Sequence, residues 1–235
     1  MPSDIYGRAL MDFNAGNSTE NIVTNSSVAG VDEMPLPYLF REYHEMPEIE
    51  KKALENCKGS ILDIGSGSGS HSLYLQNKNK NVTALDISKG ATEVCKLRGI
   101  EKVLNEDIWK LKNIKFDTLL ALMNGTGICG KLNKLAPFLL HLKNLLNPKG
   151  QILIDSSDII YMFEDENGEF WINSDQEYYG EVSFEMSYKN EKTPIFDWLY
   201  VDFNTLKRCA NYNGFHCELL KEGDHYDYLA KLTLI

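Results

Sequence analysis

The sequence predicts an α/β fold built on a mostly parallel sheet, and three stretches carry that prediction. Residues 60–75, SILDIGSGSGSHSLYL, read as a buried strand (Ile61, Leu62, Ile64), a turn with Gly65, Gly67 and Gly69, and the start of a helix. Glycine tolerates the backbone reversal and leaves room for a ligand to approach the main chain, while a helix opening at Ser70 offers free N–H groups and the positive end of its dipole. Residues 81–87, NVTALDI, read as a second strand ending in Asp86, about 20 residues beyond the glycines, where nucleotide-cofactor folds place an acidic residue. Residues 116–123, FDTLLALM, form the nearly continuous apolar run required of a strand covered on both faces.

The remaining elements follow in order. Residues 1–32 are polar and turn-rich, with isolated Tyr6, Leu10, Phe13 and Val23, too few to form a core alone. Two readings stay open for this arm: a loosely docked tail, or a lid in which Tyr6, Phe13, Tyr38 and Phe40 close over the cofactor cleft and attract a cation to their ring faces. Residues 34–43, with Pro35 and Pro37, read as an extended connector. A helix is expected from Pro47, since proline suits a first turn, with Ile49, Ala53, Leu54 and Cys57 on one face. Ser88 is placed to cap the helix carrying Ala91, Val94 and Cys95, which stops at Gly99. Residues 102–104 fall where a third strand belongs. Pro137 is expected to open a leucine-rich helix that residues 147–150 (NPKG) end, and residues 151–155 (QILID) form the next strand, opening into Ser156, Ser157 and Asp158. A helix over 204–212 and strands over 215–220 and 226–235 close the chain. Between them Val182, Phe184, Met186 and Tyr188 alternate with polar residues, as do Phe196, Trp198 and Tyr200, so residues 182–200 read as a hairpin whose second arm continues into the sixth strand of the sheet.

The acidic residue followed by G-x-G-x-G (Asp63, Gly65, Gly67, Gly69) resembles the first motif of the class I S-adenosylmethionine-dependent methyltransferases, and the resemblance covers roughly residues 46–235. It implies a seven-stranded, mostly parallel, doubly wound sheet with an antiparallel C-terminal strand, decorated here by the N-terminal arm (residues 1–45) and by a loop-and-hairpin insertion (residues 161–200) acting as a substrate cap. A dinucleotide fold uses a similar turn, and Ser70 is small enough for that pattern, so a nicotinamide-dependent oxidoreductase stays in view. Asp63 favours the methyl donor, because a carboxylate in the turn is unfavourable beside a pyrophosphate but suits the ammonium of a methionine moiety. By the resemblance, Asp63, Gly65, Ser66, Gly67 and Gly69 cradle the cofactor, Asp86 accepts from its ribose hydroxyls, Ile87 lies beside the adenine, Asp107 accepts from the adenine amino group, with Asn105 and Glu106 as rival acceptors, and Ile108 is a further cofactor contact. Met123 and Asn124 complete the cofactor set. The resemblance breaks at Asn124-Gly125-Thr126-Gly127, where methyltransferases acting on DNA amino groups carry an N-P-P-Y type motif.

Composition narrows the partners. The chain has 235 residues and a net charge of −10, which repels phosphate backbones, so nucleic acid is not expected. No apolar run reaches the roughly 18 residues of a membrane span. Five cysteines, an odd number without a C-x-x-C pair, point to reduced thiols and a cytoplasmic protein, and no His/Cys/Asp group has metal-ligand spacing. The expected activity is methyl transfer by in-line displacement to a small-molecule acceptor, leaving S-adenosylhomocysteine; alignment supplies most of the acceleration, and a base is optional. Where the acceptor must lose a proton, His71, Asp155 and Asp158 are the candidates. Gly125, Trp171 and Tyr179 are the candidate acceptor contacts. A non-catalytic S-adenosylmethionine-binding sensor or partner subunit remains the alternative from another class, and the oligomeric state is not legible.

Overall fold

The computed structural model describes residues 4–17, 20–170 and 178–235. In chain order it contains α1 (Ile5–Asn14), β1 (Ile22–Ser26), β2 (Gly30–Met34), α2 (Leu36–Leu39), α3 (Glu48–Asn56), β3 (Ser60–Ile64), α4 (Ser70–Asn77), β4 (Asn81–Asp86), α5 (Lys89–Leu97), β5 (Val103–Asn105) and β6 (Phe116–Ala121). There follow α6 (Leu132–Asn144), β7 (Leu146–Ser157), β8 (Glu181–Tyr188), β9 (Glu191–Lys192), β10 (Phe196–Leu199), α7 (Phe203–Tyr212), β11 (Phe215–Glu222) and β12 (Asp227–Leu234).

The larger sheet runs β11-β12-β7-β6-β3-β4-β5. Strands β3 to β7 pair in parallel, whereas β12 lies antiparallel to both β7 and β11. Strand periodicity sorts the apolar residues onto its two faces. Leu62, Leu119, Ala121, Ile152 and Ile154 face the layer of α6 and α7, while their neighbours Ile61, Leu120 and Leu153 face α3. Both faces are therefore covered, which is why the central strands read as apolar runs rather than alternating ones. Strand order reverses beside β3, and the crevice at that switch point, outside the carboxyl ends of the strands, is where such a sheet takes a ligand.

A second sheet, β10-β8-β1-β2 with β9 on β8, joins the N-terminal arm to the hairpin. Val23 pairs with Ser187 and Ser26 with Phe184, so segments more than 150 residues apart form one antiparallel surface. The arm is docked as well as paired. Ile5, Ala9 and Leu10 of α1 are buried against Ala91 and Val94 of α5 and Tyr188 of β8. Asp4 caps α1 at the Gly7 N–H (3.0 Å) and also accepts from the Ser88 hydroxyl (2.9 Å) and the Gly90 N–H (2.8 Å). The two helices meet at Gly7 and Gly90, where a Cβ on Gly7 would lie 2.7 Å from the Gly90 Cα. No described helix is long and apolar enough to cross a membrane.

Four expectations about elements are corrected. The connector over residues 34–43 is not extended throughout, because Leu36–Leu39 forms the short helix α2, which buries Leu36 and Leu39. Strand β10 does not continue into the large sheet: Phe196–Leu199 pairs only with β8, and the sixth position belongs to β11. Pro137 lies inside α6, which already begins at Leu132. The lost main-chain bond is outweighed by burial of Leu135, Phe138, Leu139 and Leu142 on one face, and the Glu181 carboxylate anchors the new start by accepting from the Leu132 N–H at 2.8 Å. Residues 147–150 do not separate α6 from a later strand. They are absorbed into β7 as an irregularity opposite β6, with Lys149 left-handed (φ 65°).

Candidate active site

The glycine turn is held from below by the strand beside it. Gly65 and Ser66 donate their N–H groups to the Leu85 carbonyl (2.8 and 3.0 Å), and Gly67 donates to Asp86 Oδ2 (2.8 Å). Gly67 is left-handed (φ 54°), and a Cβ there would sit 2.7 Å from the Tyr6 hydroxyl. A branched side chain thus meets both a strained backbone and the arm that covers the turn. Gly69 is the N-cap of α4. The arm also grips the helix opening, since the Leu39 carbonyl accepts from the hydroxyls of Ser70 (3.0 Å) and Ser68.

Asp86, 7% exposed, accepts from Ser88 N–H through Oδ1 (2.8 Å) and from Gly67 N–H through Oδ2. Burial pushes its carboxyl above the usual range, and those two N–H groups pull it back. Asn105 donates from Nδ2 to the carbonyls of Asp86 and Ile87, both at 3.0 Å, and so straps the end of β4 in place; the rival acceptor is used as a donor to the main chain. Asp107 accepts from the Trp109 N–H (3.0 Å) and caps a short 3-10 helix, Ile108–Lys110. Ile108 is buried in the core, with its carbonyl 2.7 Å from His141 Nε2. Ile87 is 72% exposed and Met123 39% exposed, two large apolar side chains left open at the carboxyl edge.

Beneath the turn lies a buried charged group. Asp63, one residue before the end of β3, accepts from the Ser72 hydroxyl at 2.6 Å. Burial raises its pKa, and His71 and Ser72 oppose the rise. His71 Nε2 is 2.9 Å from Glu50 Oε2, and the other Glu50 oxygen pairs with Arg41. Burial opposes charge on the imidazole, but the bond to Glu50 and the charges of Asp63 and Glu50 outweigh it, so the His71 pKa is raised. The Glu50 carboxyl is lowered, against burial, by His71 and Arg41. Arg41 keeps one buried donor, Nε, without a partner among the described residues. This ion-pair chain was missed in the sequence, although Glu50 gave a signal: it is a charge on the helix face shared by Ile49, Ala53 and Leu54.

The loop after β6 is shaped by the next strand. Met123 and Asn124 are both left-handed (φ 64° and 62°), and the N–H groups of Met123 and Gly125 donate to the two oxygens of Asp155 at 3.0 and 2.9 Å. Burial pushes the Asp155 carboxyl up to about 7, with Glu50 adding to the rise and the Gly125 and Met123 N–H groups opposing it. Asn124 Oδ1 accepts from the Ser156 hydroxyl (2.8 Å), which itself accepts from Thr126 Oγ1 (2.6 Å) and from the Val201 N–H (3.0 Å). The loop after β6 is thereby tied to the segment leaving β10. Asp158 stands apart from His71 and Asp155, accepting from the Ile160 N–H (3.0 Å) and the Tyr179 hydroxyl (2.8 Å). Trp171 lies outside the described residues.

A cavity of about 420 Å³ lies between the carboxyl end of β7 and the smaller sheet. A hollow of about 620 Å³ beside Leu111 and His141 opens at the opposite, amino edge of β6 and shares no residue with the site. The residues gathered at the carboxyl edge suit a nucleoside bearing an amino-acid tail. Asp86 is a buried acceptor at the end of β4, Ile87 and Met123 leave apolar surface open at the same edge, and Asp63 and Arg41, whose Nε has no partner among the described residues, are buried groups of opposite charge.

Sheet order, glycine turn and acidic strand end together define a class I methyltransferase. Residues 62–154 match the protein family described as the methyltransferase domain. A SAM-dependent methyltransferase from Bacteroides fragilis, solved in complex with S-adenosyl-L-homocysteine, is 46% identical, with 98% of this chain and 94% of that one covered and a TM-score of 0.92. The CcbJ methyltransferase from Streptomyces caelestis (11% identity, 81% and 97% covered, TM-score 0.62) and DesVI from Streptomyces venezuelae (14%, 85% and 96%, 0.57) share the fold. No curated protein matches the chain. The chain belongs to the S-adenosylmethionine-dependent methyltransferases and is an enzyme of methyl transfer, not a nicotinamide-dependent oxidoreductase.

Proposed function

We propose that this methyltransferase acts on a small-molecule acceptor bound in the cavity between the end of β7 and the smaller sheet. The observation that carries the reading is the position of that cavity. Ser157 and Ile159, immediately beyond the Asp155 that holds the methyl-side loop, form part of its wall, and β1, β2 and β8 form its roof. Enclosure of this size suits a small molecule. Residues 46–235 are the methyltransferase domain on this reading, and the arm (1–45) with the insertion (161–200) is its cap.

S-adenosylmethionine brings a methyl group already activated on sulfonium. The chain's own task is to hold and align. Asp86 accepts from the ribose hydroxyls, Ile87 and Met123 cover the adenine, and Asp107 remains the acceptor for its amino group. Asp63 receives the ammonium, and Arg41, through its unpartnered Nε, the carboxylate. His71 is a positioning residue: burial opposes its charged form, but the bond to Glu50 and the nearby carboxylates favour it, and the ring holds the Glu50 carboxylate that pairs with Arg41. Asp155 positions Met123 and Gly125, and Asp158 holds Tyr179 at the insertion. The five cysteines are all free, four of them buried, which supports a reducing cytoplasmic setting. The charge of −10 argues against nucleic acid as acceptor.

The test is product profiling with isotope-labelled S-adenosylmethionine against a small-molecule extract and a protein extract. Label is expected in the small-molecule fraction. Ser26→Trp, which fills the cavity from β1, is expected to abolish that labelling while S-adenosylhomocysteine affinity stays within about threefold. Label confined to protein, or full turnover in Ser26→Trp, removes the assignment.

A further inference from the structure

The inner face of the smaller sheet changes character along its strands. Residues of even number share that face: Thr24 pairs with Asp32, Ser26 with Gly30 and with Phe184. At one end Ile22, Met186 and Tyr188 are packed on α1 as core. At the other end the same face presents Thr24, Ser26 and Asp32 to the cavity. Here the face opens to the hollow, with Thr24 and Ser26 half-buried and Asp32 exposed, so its polar groups are accessible to a ligand. Opposite stands Asp227, at the start of β12 and paired in register with Ser157. Its carboxylate lies against Gly223 and accepts from the His225 N–H at 3.0 Å, and its second oxygen has no donor among the described residues. Tyr161, Phe184 and Tyr200 supply aromatic faces, and Tyr161 is braced by stacking on Tyr226 at 4.9 Å. Neither lysine nor arginine is among the described residues that line the space.

Asp227 also belongs to the reacting end of the crevice. Asp155 pairs with Leu229, two residues along the same strand, so Asp155 and Asp227 project from one face of the sheet. The Tyr38 hydroxyl senses both: burial raises its pKa most, Arg41 opposes, and Glu50, Asp155 and Asp227 add to the rise.

We infer that the acceptor is an amine, recognised as its cation by the Asp227 and Asp32 carboxylates and the Tyr161, Phe184 and Tyr200 ring faces, and that carboxylate and phosphate acceptors are excluded. Two carboxylates and three aromatic faces without a counter-cation attract an ammonium and repel an anion. This rests on the reading that the cavity is the acceptor site. In the reaction the ammonium first releases one proton to water at the open rim, where His225 is exposed. The freed nitrogen lone pair then forms the C–N bond to the methyl carbon while the C–S bond breaks with its electron pair staying on sulfur. The products are a methylated ammonium and neutral S-adenosylhomocysteine.

The test uses three probes of one shape, benzylamine, benzyl alcohol and benzoate, titrated at neutral pH by ligand-observed NMR into protein saturated with S-adenosylhomocysteine. Benzylamine is expected to bind at least about tenfold more tightly than the alcohol and benzoate not to bind detectably. Asp227→Asn is expected to shrink the amine preference at least about fivefold without changing S-adenosylhomocysteine affinity. Equal binding of the alcohol or benzoate, no binding of benzylamine, or an unchanged preference in Asp227→Asn overturns the inference. Phe184→Ala separates the two readings. If amine preference persists but Phe184→Ala and Ser26→Trp leave benzylamine binding untouched, the acceptor site lies elsewhere and the placement fails, not only the substrate class.

Discussion

Single carboxylates carry the sharpest consequences of this structure. Asp86 is buried and held by two main-chain N–H groups, one on each carboxylate oxygen, which leaves each oxygen a further lone pair. Asp86→Ala is expected to weaken S-adenosylhomocysteine binding at least about tenfold, because loss of even one charge-assisted bond is worth about 1.5–3 kcal/mol. Calorimetry that finds unchanged affinity in a folded variant removes Asp86 from the site. Asp155 makes a different prediction. Its carboxyl is pushed up to about 7 in the fold, against a usual value near 4. A raised acid keeps a proton that the unfolded chain has released. Its contribution to stability is therefore present below about pH 4 and is lost as pH rises through about 7, by up to about 4 kcal/mol. Denaturant midpoints of Asp155→Asn should accordingly fall less across that window than those of the parent chain. Equal slopes in the two proteins would show that Asp155 ionises normally.

At the scale of elements, the decisive contact is between α1 and the glycine turn. The helix buries Leu10 and Ile5 completely against α5 and β8, and its Tyr6 hydroxyl stands over Gly67. Docking of the arm is in this way linked to the glycine turn by direct packing. Leu10→Ala is expected to cost about 2–5 kcal/mol and, by loosening Tyr6 from the turn, to weaken S-adenosylhomocysteine binding as well. A thermal melt and a calorimetric titration on the same sample check both; a variant that melts lower yet binds as tightly as its parent would mean that α1 only stabilises. The second linkage is the Ser156 hydroxyl, which joins Asn124, Thr126 and the Val201 N–H in one buried node. It couples the loop after β6 to the end of β10.

For the whole molecule, the two sheets are inseparable in sequence. The smaller sheet contains one hairpin from the first 34 residues and another from residues 181–199, with the entire glycine turn and five parallel strands between them. Neither hairpin is stable alone, since an isolated two-stranded ribbon is marginal in water. Far-UV and near-UV circular dichroism should therefore report one coincident unfolding transition, and S-adenosylhomocysteine at about 100 times its dissociation constant should stabilise that transition by about 2.7 kcal/mol. An early, separate loss of the near-UV signal would show that the cap unfolds by itself.

The sequence by itself determined the parts whose signal is local. The apolar strand of residues 61–64, the glycine turn, the acidic end of β4 and the two-sided run of β6 are short-range patterns of periodicity and backbone preference, and each stands in the structure where the pattern placed it. The Ser88 cap and the Gly99 stop of α5 were legible for the same reason. Local rules failed where a distant partner intervened. Pro137 marks a plausible helix start, but Glu181 anchors a start five residues earlier. Residues 196–199 have a strand's alternation, yet alternation does not say which sheet a strand joins, and β8 claimed it. Only tertiary structure decided that the polar arm of residues 1–32 has a core, because Ile5, Leu10 and Ile22 become a core only against α5 and Tyr188. The Arg41–Glu50–His71 chain and the cavity facing Asp32 and Asp227 belong to the same class of fact. Strand pairing and ion pairing between segments far apart leave no periodic trace in either segment, since each alone presents only unsatisfied hydrogen bonds and an uncovered face, and what satisfies them is set by the packing of the whole chain.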